Sequence, residues 1–281
     1  MFKSKPRMAI AYDFDGTLAP GNVQEYNFIP DLGMTPSNFW REVTEKAKDI
    51  EGDSILVYMG LMLKKADAAG VKVHKDAFVR YGSELPLYIG VDSWFERINA
   101  YAAEKQIEID HFIVSSGLRE MIEGTRIARY FKKIYASSFW YDHNGVAHWP
   151  ALALNYTTKT QFLFRINKGF LDVWDHEAVN RFVKHSERPV PFSNIVYIGD
   201  GETDIPCFRL VKDQGGNSIA VYKAGLGTAE EMGQRLINDG RVNYAVPADY
   251  SVGSAIEQYV KSIIDKNIKK GNTVNRLAKY L

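Results

Sequence analysis

Two groups of carboxylates stand at the ends of apolar runs in this 281-residue sequence, and their placement suggests shared chemistry. The first is Ile10-Ala11-Tyr12-Asp13-Phe14-Asp15-Gly16-Thr17-Leu18, where two acids alternate after an apolar run and a glycine permits a tight turn. The second is Ile195-Val196-Tyr197-Ile198-Gly199-Asp200-Gly201-Glu202-Thr203-Asp204, again an apolar run, then acids, then a helical pattern. Two acids beside a magnesium ion can divide the work, one attacking as a nucleophile and the other moving a proton. Magnesium is held by one or two carboxylates together with waters and substrate phosphate, so acids from two neighbouring strand ends suit it. Aspartates also occur as solvated turn residues. Either cluster alone would allow that reading; both, in this order, weigh against it.

These residues resemble a known family. Asp13-Phe14-Asp15-Gly16-Thr17-Leu18 and Gly199-Asp200-Gly201-Glu202-Thr203-Asp204 are similar to the first and fourth motifs of the haloacid dehalogenase (HAD) superfamily. Phe112-Ile113-Val114-Ser115-Ser116-Gly117 matches the second, a Ser or Thr after an apolar strand, so the resemblance runs in motif order from about Met8 to Val246. It implies that Asp13 is the nucleophile, forming an aspartyl-phosphate, and also a metal ligand. Asp15 would be the general acid/base, with its carbonyl on the metal. Asp200 would be the other ligand, supported by Asp204 directly or through water. Ser115 would hydrogen-bond the phosphoryl group, helped by backbone N–H groups near Phe14, Asp15 and Ser116, with Gly117 in the same cradle. For the third motif's lysine both Lys159 and Lys168 qualify. Lys159 is preferred, because a lysine at a strand-to-helix turn can reach the strand ends. Asp15 also bears on the activity. Members that cleave carbon–halogen bonds generally lack this acid, so the resemblance implies Mg2+-dependent hydrolysis of a small phosphorylated substrate, or a phosphomutase, rather than dehalogenation.

The scaffold these residues need is legible as alternation. Strand candidates fall at 8–14, 111–114, 194–198, 218–221 and 243–246, and helical patterns at 118–131, 205–211, 228–238 and 254–267. Such alternation predicts an α/β fold, a parallel sheet flanked by helices, with ligands at the carboxyl edge. The resemblance makes this a Rossmann-like, HAD-type core. Between Leu18 and Asp110 the pattern changes to helices at 38–50, 54–69, 75–81 and 93–104, with Ser37 as an N-cap and Gly70 as a stop. This insertion resembles the helical cap of phosphoserine-phosphatase-like and pyrimidine-nucleotidase-like members. The expected organisation is therefore a core of residues 1–18 and 111–281 and a cap of residues 19–110. Glu25, Tyr26, Arg41 and Arg80 are candidates to face a ligand, though most charged residues on such helices are solvated. Asp142-His143-Asn144-Gly145 between aromatic flanks reads as a hairpin turn.

Composition bounds the rest. Thirty-five Lys+Arg against 34 Asp+Glu give a net charge of +1, too little long-range attraction for a protein that coats nucleic acid or an anionic membrane. Residues 19–111 hold 10 Lys+Arg and 15 Asp+Glu, while both tails are basic, with Lys3, Lys5 and Arg7 at one end and Lys261, Lys266, Lys269, Lys270, Arg276 and Lys279 at the other. An acidic cap favours a small substrate over a polyanion. The single cysteine, Cys207, excludes an internal disulfide, and the six histidines form no H-x-x-x-H pair, so zinc is not expected. The apolar run after the basic N-terminus is broken at Asp13 and Asp15, so a signal peptide is not expected, and no run is long enough to span a membrane. A soluble cytoplasmic enzyme is the expectation. Trp140, Tyr141 and Trp149 flank the hairpin, either packed on the body or forming a homo-oligomer surface. Two other readings compete with the hydrolase: a phosphotransferase using the same intermediate, and a non-catalytic ligand-binding protein.

Overall fold

The computed structural model describes residues 5–277, so Lys3 and Lys279 of the basic tails lie outside it. Seven strands form one sheet: β1 (Arg7–Tyr12), β2 (Glu108–Leu118), β3 (Phe131–Tyr141), β4 (Ala147–Leu152), β5 (Ile195–Gly199), β6 (Asn217–Tyr222) and β7 (Tyr244–Pro247). Their order is β4-β3-β2-β1-β5-β6-β7, and every pair is parallel except the β3–β4 hairpin. A sheet covered on both faces needs apolar residues at both parities, and β1 supplies them. Met8, Ile10 and Tyr12 enter one core, while Ala9 and Ala11 enter the other.

Register determines what meets at the carboxyl edge. Tyr12, the last residue of β1, pairs with Ile113 on one side and Ile198 on the other. Asp13, Ser115 and Asp200 therefore emerge side by side, one or two residues beyond a common level. The Asp13 N–H donates to the Ile198 carbonyl at 2.8 Å, carrying the pairing to the brink of the cleft.

The residues between β1 and β2 are helical: α1 (Phe28–Asp31), α2 (Pro36–Asp49), α3 (Ser54–Ala69), α4 (Lys75–Ser83) and α5 (Val91–Glu104). α2 begins earlier than Ser37 suggests. Thr35 is its N-cap, its Oγ1 accepting the Asn38 N–H at 3.3 Å, and Pro36 takes the first helical position, where its missing N–H costs nothing. Gly70 ends α3, as expected. Phe28, Phe39, Met59 and Phe78 of this insertion share one apolar cluster with Ile10, Tyr12 and Ile113 of the sheet. α5 packs on β2 and on the C-terminal helix, and that junction is pinned by Arg97, which donates to Glu257 at 3.0 Å.

The remaining helices are α6 (Arg119–Glu123), α7 (Tyr156–Lys168), α8 (His176–Asn180), α9 (Ile205–Asp213), α10 (Gly227–Asn238) and α11 (Ala255–Leu277). α7 and α9 pack together over the second face, where Phe162, Leu163, Cys207 and Phe208 are buried. One expectation needs correction, and one pair of alternatives narrows. The helical pattern over 118–131 yields only the five residues of α6, and Phe131 opens β3 instead. The hairpin turn does form, with Asp142 Oδ1 accepting the N–H groups of Asn144 and Val146 at 2.9 Å each. Trp140 and Trp149, however, are not packed on the body. They face each other across β3–β4 and are 62% and 68% exposed. Among the described residues no helix is long and apolar enough to cross a membrane.

Candidate active site

The carboxyl edge of β1, β2 and β5 forms the floor of a cleft of about 680 Å³. Gly16 turns the chain there with φ +70°, and a Cβ at that position would lie 2.0 Å from Asp200 Oδ2. Glycine is required both for the backbone conformation and for the approach of the second acidic loop. Asp13, Asp200 and Asp204 each present a carboxylate oxygen within 4.8 Å of the others.

Lys159 completes the group. It lies in the first turns of α7, entirely buried, and its Nζ donates to Asp13 Oδ2 at 2.8 Å and to Asp204 Oδ1 at 2.7 Å. Lys168, at the other end of α7, donates instead to the carbonyls of Val179 and Arg181. Asp13 Oδ1 accepts the Phe14 N–H at 2.7 Å. Asp204 is heavily engaged: Oδ1 also accepts the Tyr197 hydroxyl at 2.6 Å, and Oδ2 accepts the N–H groups of Asp200 at 3.2 Å and Gly201 at 3.4 Å. Asp204 thus holds both the lysine and the loop that carries Asp200.

Burial sets the electrostatics. It pushes Asp13 up to about 6, against the pull of Lys159 and with added repulsion from Asp204. Asp200 is raised well above the usual carboxylate range by burial and by Asp204 and Asp13. Asp15 is raised likewise by burial and by the charge of Asp13. Burial alone would lower Lys159, but Asp13 and Asp204 outweigh it and hold the ammonium above its usual value. Three converging carboxylates with one ammonium leave an excess of negative charge, and hard oxygen donors at this spacing fit a magnesium-like cation.

The other sequence candidates gather around this floor. Asp15 Oδ1 accepts the Val23 N–H at 2.9 Å, and a Cβ on Gly117 would lie 2.5 Å from Asp15 Oδ2. Ser115 Oγ accepts the Gly117 N–H at 3.1 Å, and Ser116 Oγ is buried with no partner among the described residues. Ser115, Ser116 and Gly117 all line the cleft. Of the four candidates on the insertion, Arg41 and Arg80 sit on its surface, paired with Glu45 and Asp76. Tyr26 donates to the Pro20 carbonyl, and Glu25 lies close behind the cleft lining. Sequence reasoning missed Thr17, which donates to Asp200 Oδ1 at 3.4 Å, though it stands inside the first motif. It also missed Tyr197, which stands seven residues before its partner Asp204, and Gln24, Trp40 and Tyr58, which reach the cleft only through the folding of the insertion.

Comparison with known proteins agrees with this geometry. The family model for haloacid dehalogenase-like hydrolases matches residues 10–209. An uncharacterised protein of Borreliella burgdorferi is 26% identical over 280 residues, 90% of this chain and 95% of its own. A HAD family hydrolase of Salmonella enterica superposes with a TM-score of 0.56 at 18% identity, over 86% of this chain and 67% of that one. A substrate-bound phosphoserine phosphatase does so with a TM-score of 0.52 at 14% identity, over 86% of this chain and 93% of its own. A probable phosphoserine phosphatase from Vibrio cholerae gives 0.53 at 14% identity, over 95% and 67%. At these identities the structural likeness speaks for the fold. The family match runs from β1 into α9 and so takes in every acid and the lysine at the sheet edge: the chain belongs to the haloacid dehalogenase-like hydrolase family.

Proposed function

We propose that the protein is a magnesium-dependent phosphatase of a small phosphorylated metabolite, working through an aspartyl-phosphate on Asp13. The observation that carries this reading is Lys159 Nζ, buried between Asp13 Oδ2 at 2.8 Å and Asp204 Oδ1 at 2.7 Å at the floor of an acid-lined cleft. Such a lysine steadies a carboxylate that must face a phosphate dianion. Asp13 and Asp200 would hold the cation, with the Asp15 carbonyl beside them and Asp204 as the supporting acid. When bound, the cation supplies positive charge that offsets the phosphoryl oxygens.

The chain's own groups then divide the reaction. Ser115 Oγ and the N–H groups of the 115–117 turn and of Phe14 and Asp15 orient the phosphoryl oxygens. An Asp13 oxygen bonds to phosphorus as the ester P–O bond breaks, and Asp15 gives its proton to the departing alkoxide. Asp15 next takes a proton from water, whose oxygen attacks the same phosphorus, releasing inorganic phosphate and restoring the Asp13 carboxylate. Residues 19–110 act in this reading as a cap, because Trp40, Tyr58 and Tyr88 line the cleft and can exclude bulk water.

Phosphate release from a panel of phosphomonoesters, with magnesium or with a chelator, tests the reading. Turnover should need magnesium and fall by at least about 10³-fold in Asp13→Asn. Phosphate appearing on an acceptor alcohol would indicate a transferase. Unchanged turnover in Asp13→Asn would end the covalent reading.

A further inference from the structure

The cleft has a second wall whose chemistry names a substrate class, an inference that rests on the phosphatase reading above. This wall is a continuous circuit of contacts. Asp15 accepts the Val23 N–H and so fixes the turn that carries Gln24 and Glu25. The Glu25 carboxylate is held by neutral donors: the Asn22 side chain at 2.6 Å, the Asn22 N–H at 3.3 Å and the Trp40 indole N–H at 2.6 Å. Trp40 meets Tyr58 edge to face, with ring centroids 5.7 Å apart and planes at 73°. The Tyr58 hydroxyl donates to the Ser116 carbonyl at 2.8 Å, which returns the circuit to the phosphate cradle. Trp40 and Tyr58 both line the cleft, and Glu25 Oε2 lies 2.9 Å from where a Cβ on the lining residue Gly21 would stand.

This wall carries no charge of its own, and the ionisable group directly behind it is the Glu25 carboxylate. None of the lining residues between 19 and 110 is lysine or arginine; the lysine on the lining, Lys223, follows β6 on the other side of the cleft. A carboxylate or a second phosphate on the leaving group would meet Glu25 with no counter-charge nearby. A cation would instead find the edge-to-face pair of Trp40 and Tyr58 on the lining with the Glu25 carboxylate behind it, aromatic and anionic groups of the kind that attract alkylammonium ions. Gln24 adds an acceptor. It is 1% exposed and lines the cleft, and among the described residues its Oε1 has no hydrogen-bond partner.

We propose that the substrate is the phosphate monoester of a small alkylammonium alcohol, its cation seated against Trp40 and Tyr58 with Glu25 behind and its phosphoryl group on Asp13. A primary ammonium would also pair Gln24 Oε1, whereas a quaternary one would use the rings and the charge alone.

The experiment compares kcat/KM for 2-aminoethyl phosphate, choline phosphate, propyl phosphate and carboxymethyl phosphate with magnesium present, in wild type, Glu25→Gln and Trp40→Leu. It is joined by calorimetric binding of the same four esters to Asp13→Asn. At least one cationic ester should exceed propyl phosphate by about tenfold, mainly through KM, with carboxymethyl phosphate below both. Both substitutions should bring the cationic-to-neutral ratio toward one. Turnover of propyl phosphate with no cationic preference, or a preference kept in both variants, overturns the proposal and leaves the phosphatase reading standing. Cationic preference in calorimetry with no turnover of any ester upholds the pocket and removes the phosphatase. Absence of both overturns the two together.

Discussion

Asp13 and Asp15 stand two residues apart over one cleft, and their hydrogen bonds assign them different tasks. Both oxygens of Asp13 are held, one by Lys159 and one by the Phe14 N–H, so the carboxylate is aimed, and Lys159 offsets part of the cost of burying its charge. Asp15 is held through Oδ1 alone, by Val23, and its Oδ2 faces the Gly117 turn, where only a glycine leaves room. In the proposed reaction that oxygen carries the proton. Asp15→Asn should therefore slow hydrolysis of alkyl phosphates by about 10²–10⁴-fold and of esters with acidic phenol leaving groups far less. Steady-state rates on the two ester classes decide the matter, and an equal loss on both removes Asp15 from proton transfer. The sequence favoured Lys159 over Lys168 by its place at a strand-to-helix turn but left both as candidates, and the two prove to lie at opposite ends of α7. Only the docking of the N-terminal end of α7 against the sheet edge separates the lysine among the acids from the one capping carbonyls.

At the scale of elements, α4 and α6 cross so closely that backbone meets backbone. A Cβ on Gly82 would lie 1.8 Å from the Met121 carbonyl oxygen, and one on Gly124 would lie 1.9 Å from that of Val79. Gly82→Ala or Gly124→Ala must push the helices apart, at a cost of about 1–3 kcal/mol or more. Chemical denaturation of each variant checks this; a midpoint equal to wild type would mean the crossing relaxes freely. The same contact explains the misread helix. Residues 118–131 carry a helical apolar spacing, yet Gly124 closes α6 after one turn and lets α4 nest against it, freeing Phe131 to begin β3. Periodicity reports which side chains share a face; it does not report where a neighbouring helix needs the chain to stop.

The whole molecule is joined beneath the site by a buried polar relay. Trp94 of α5 donates to the Tyr12 hydroxyl at 2.9 Å, Tyr12 donates to His111 Nδ1 at 3.0 Å, and His111 Nε2 donates to Asn99 Oδ1 at 2.9 Å. Asn99 Oδ1 can only accept, so a neutral His111 carries its proton on Nε2 and receives the Tyr12 hydroxyl proton at Nδ1. The relay ties α5 to β1 and β2. Burial pushes the His111 imidazole down from 6.5 to about 3, so the folded protein keeps it neutral. The unfolded chain takes up the proton first as pH falls below about 6.5, and stability is lost progressively from there toward about 3. The raised carboxyls of Asp13, Asp15 and Asp200 act in the opposite direction in both proteins, so the check is the difference: between pH 7 and pH 4 the melting temperature of His111→Gln should rise relative to that of wild type. Parallel curves would show that the acid sensitivity lies elsewhere.

By itself the sequence determined the α/β alternation, the insertion of helices after β1, the glycine turn at Gly16 and the carboxylates at the strand ends. Each of these is a local signal, carried by residues a few positions apart whose periodicity or backbone freedom admits few structures. Tertiary structure alone decided which lysine joins the acids, where β3 begins, and how Gln24, Glu25, Trp40 and Tyr58 come to border the cleft beside Ser116. Those outcomes depend on sheet register and on close packing between segments far apart in the chain, 58 residues from Tyr58 to Ser116 and 146 from Asp13 to Lys159. Such contacts form only once β1 and β2 are paired and the insertion has folded against them.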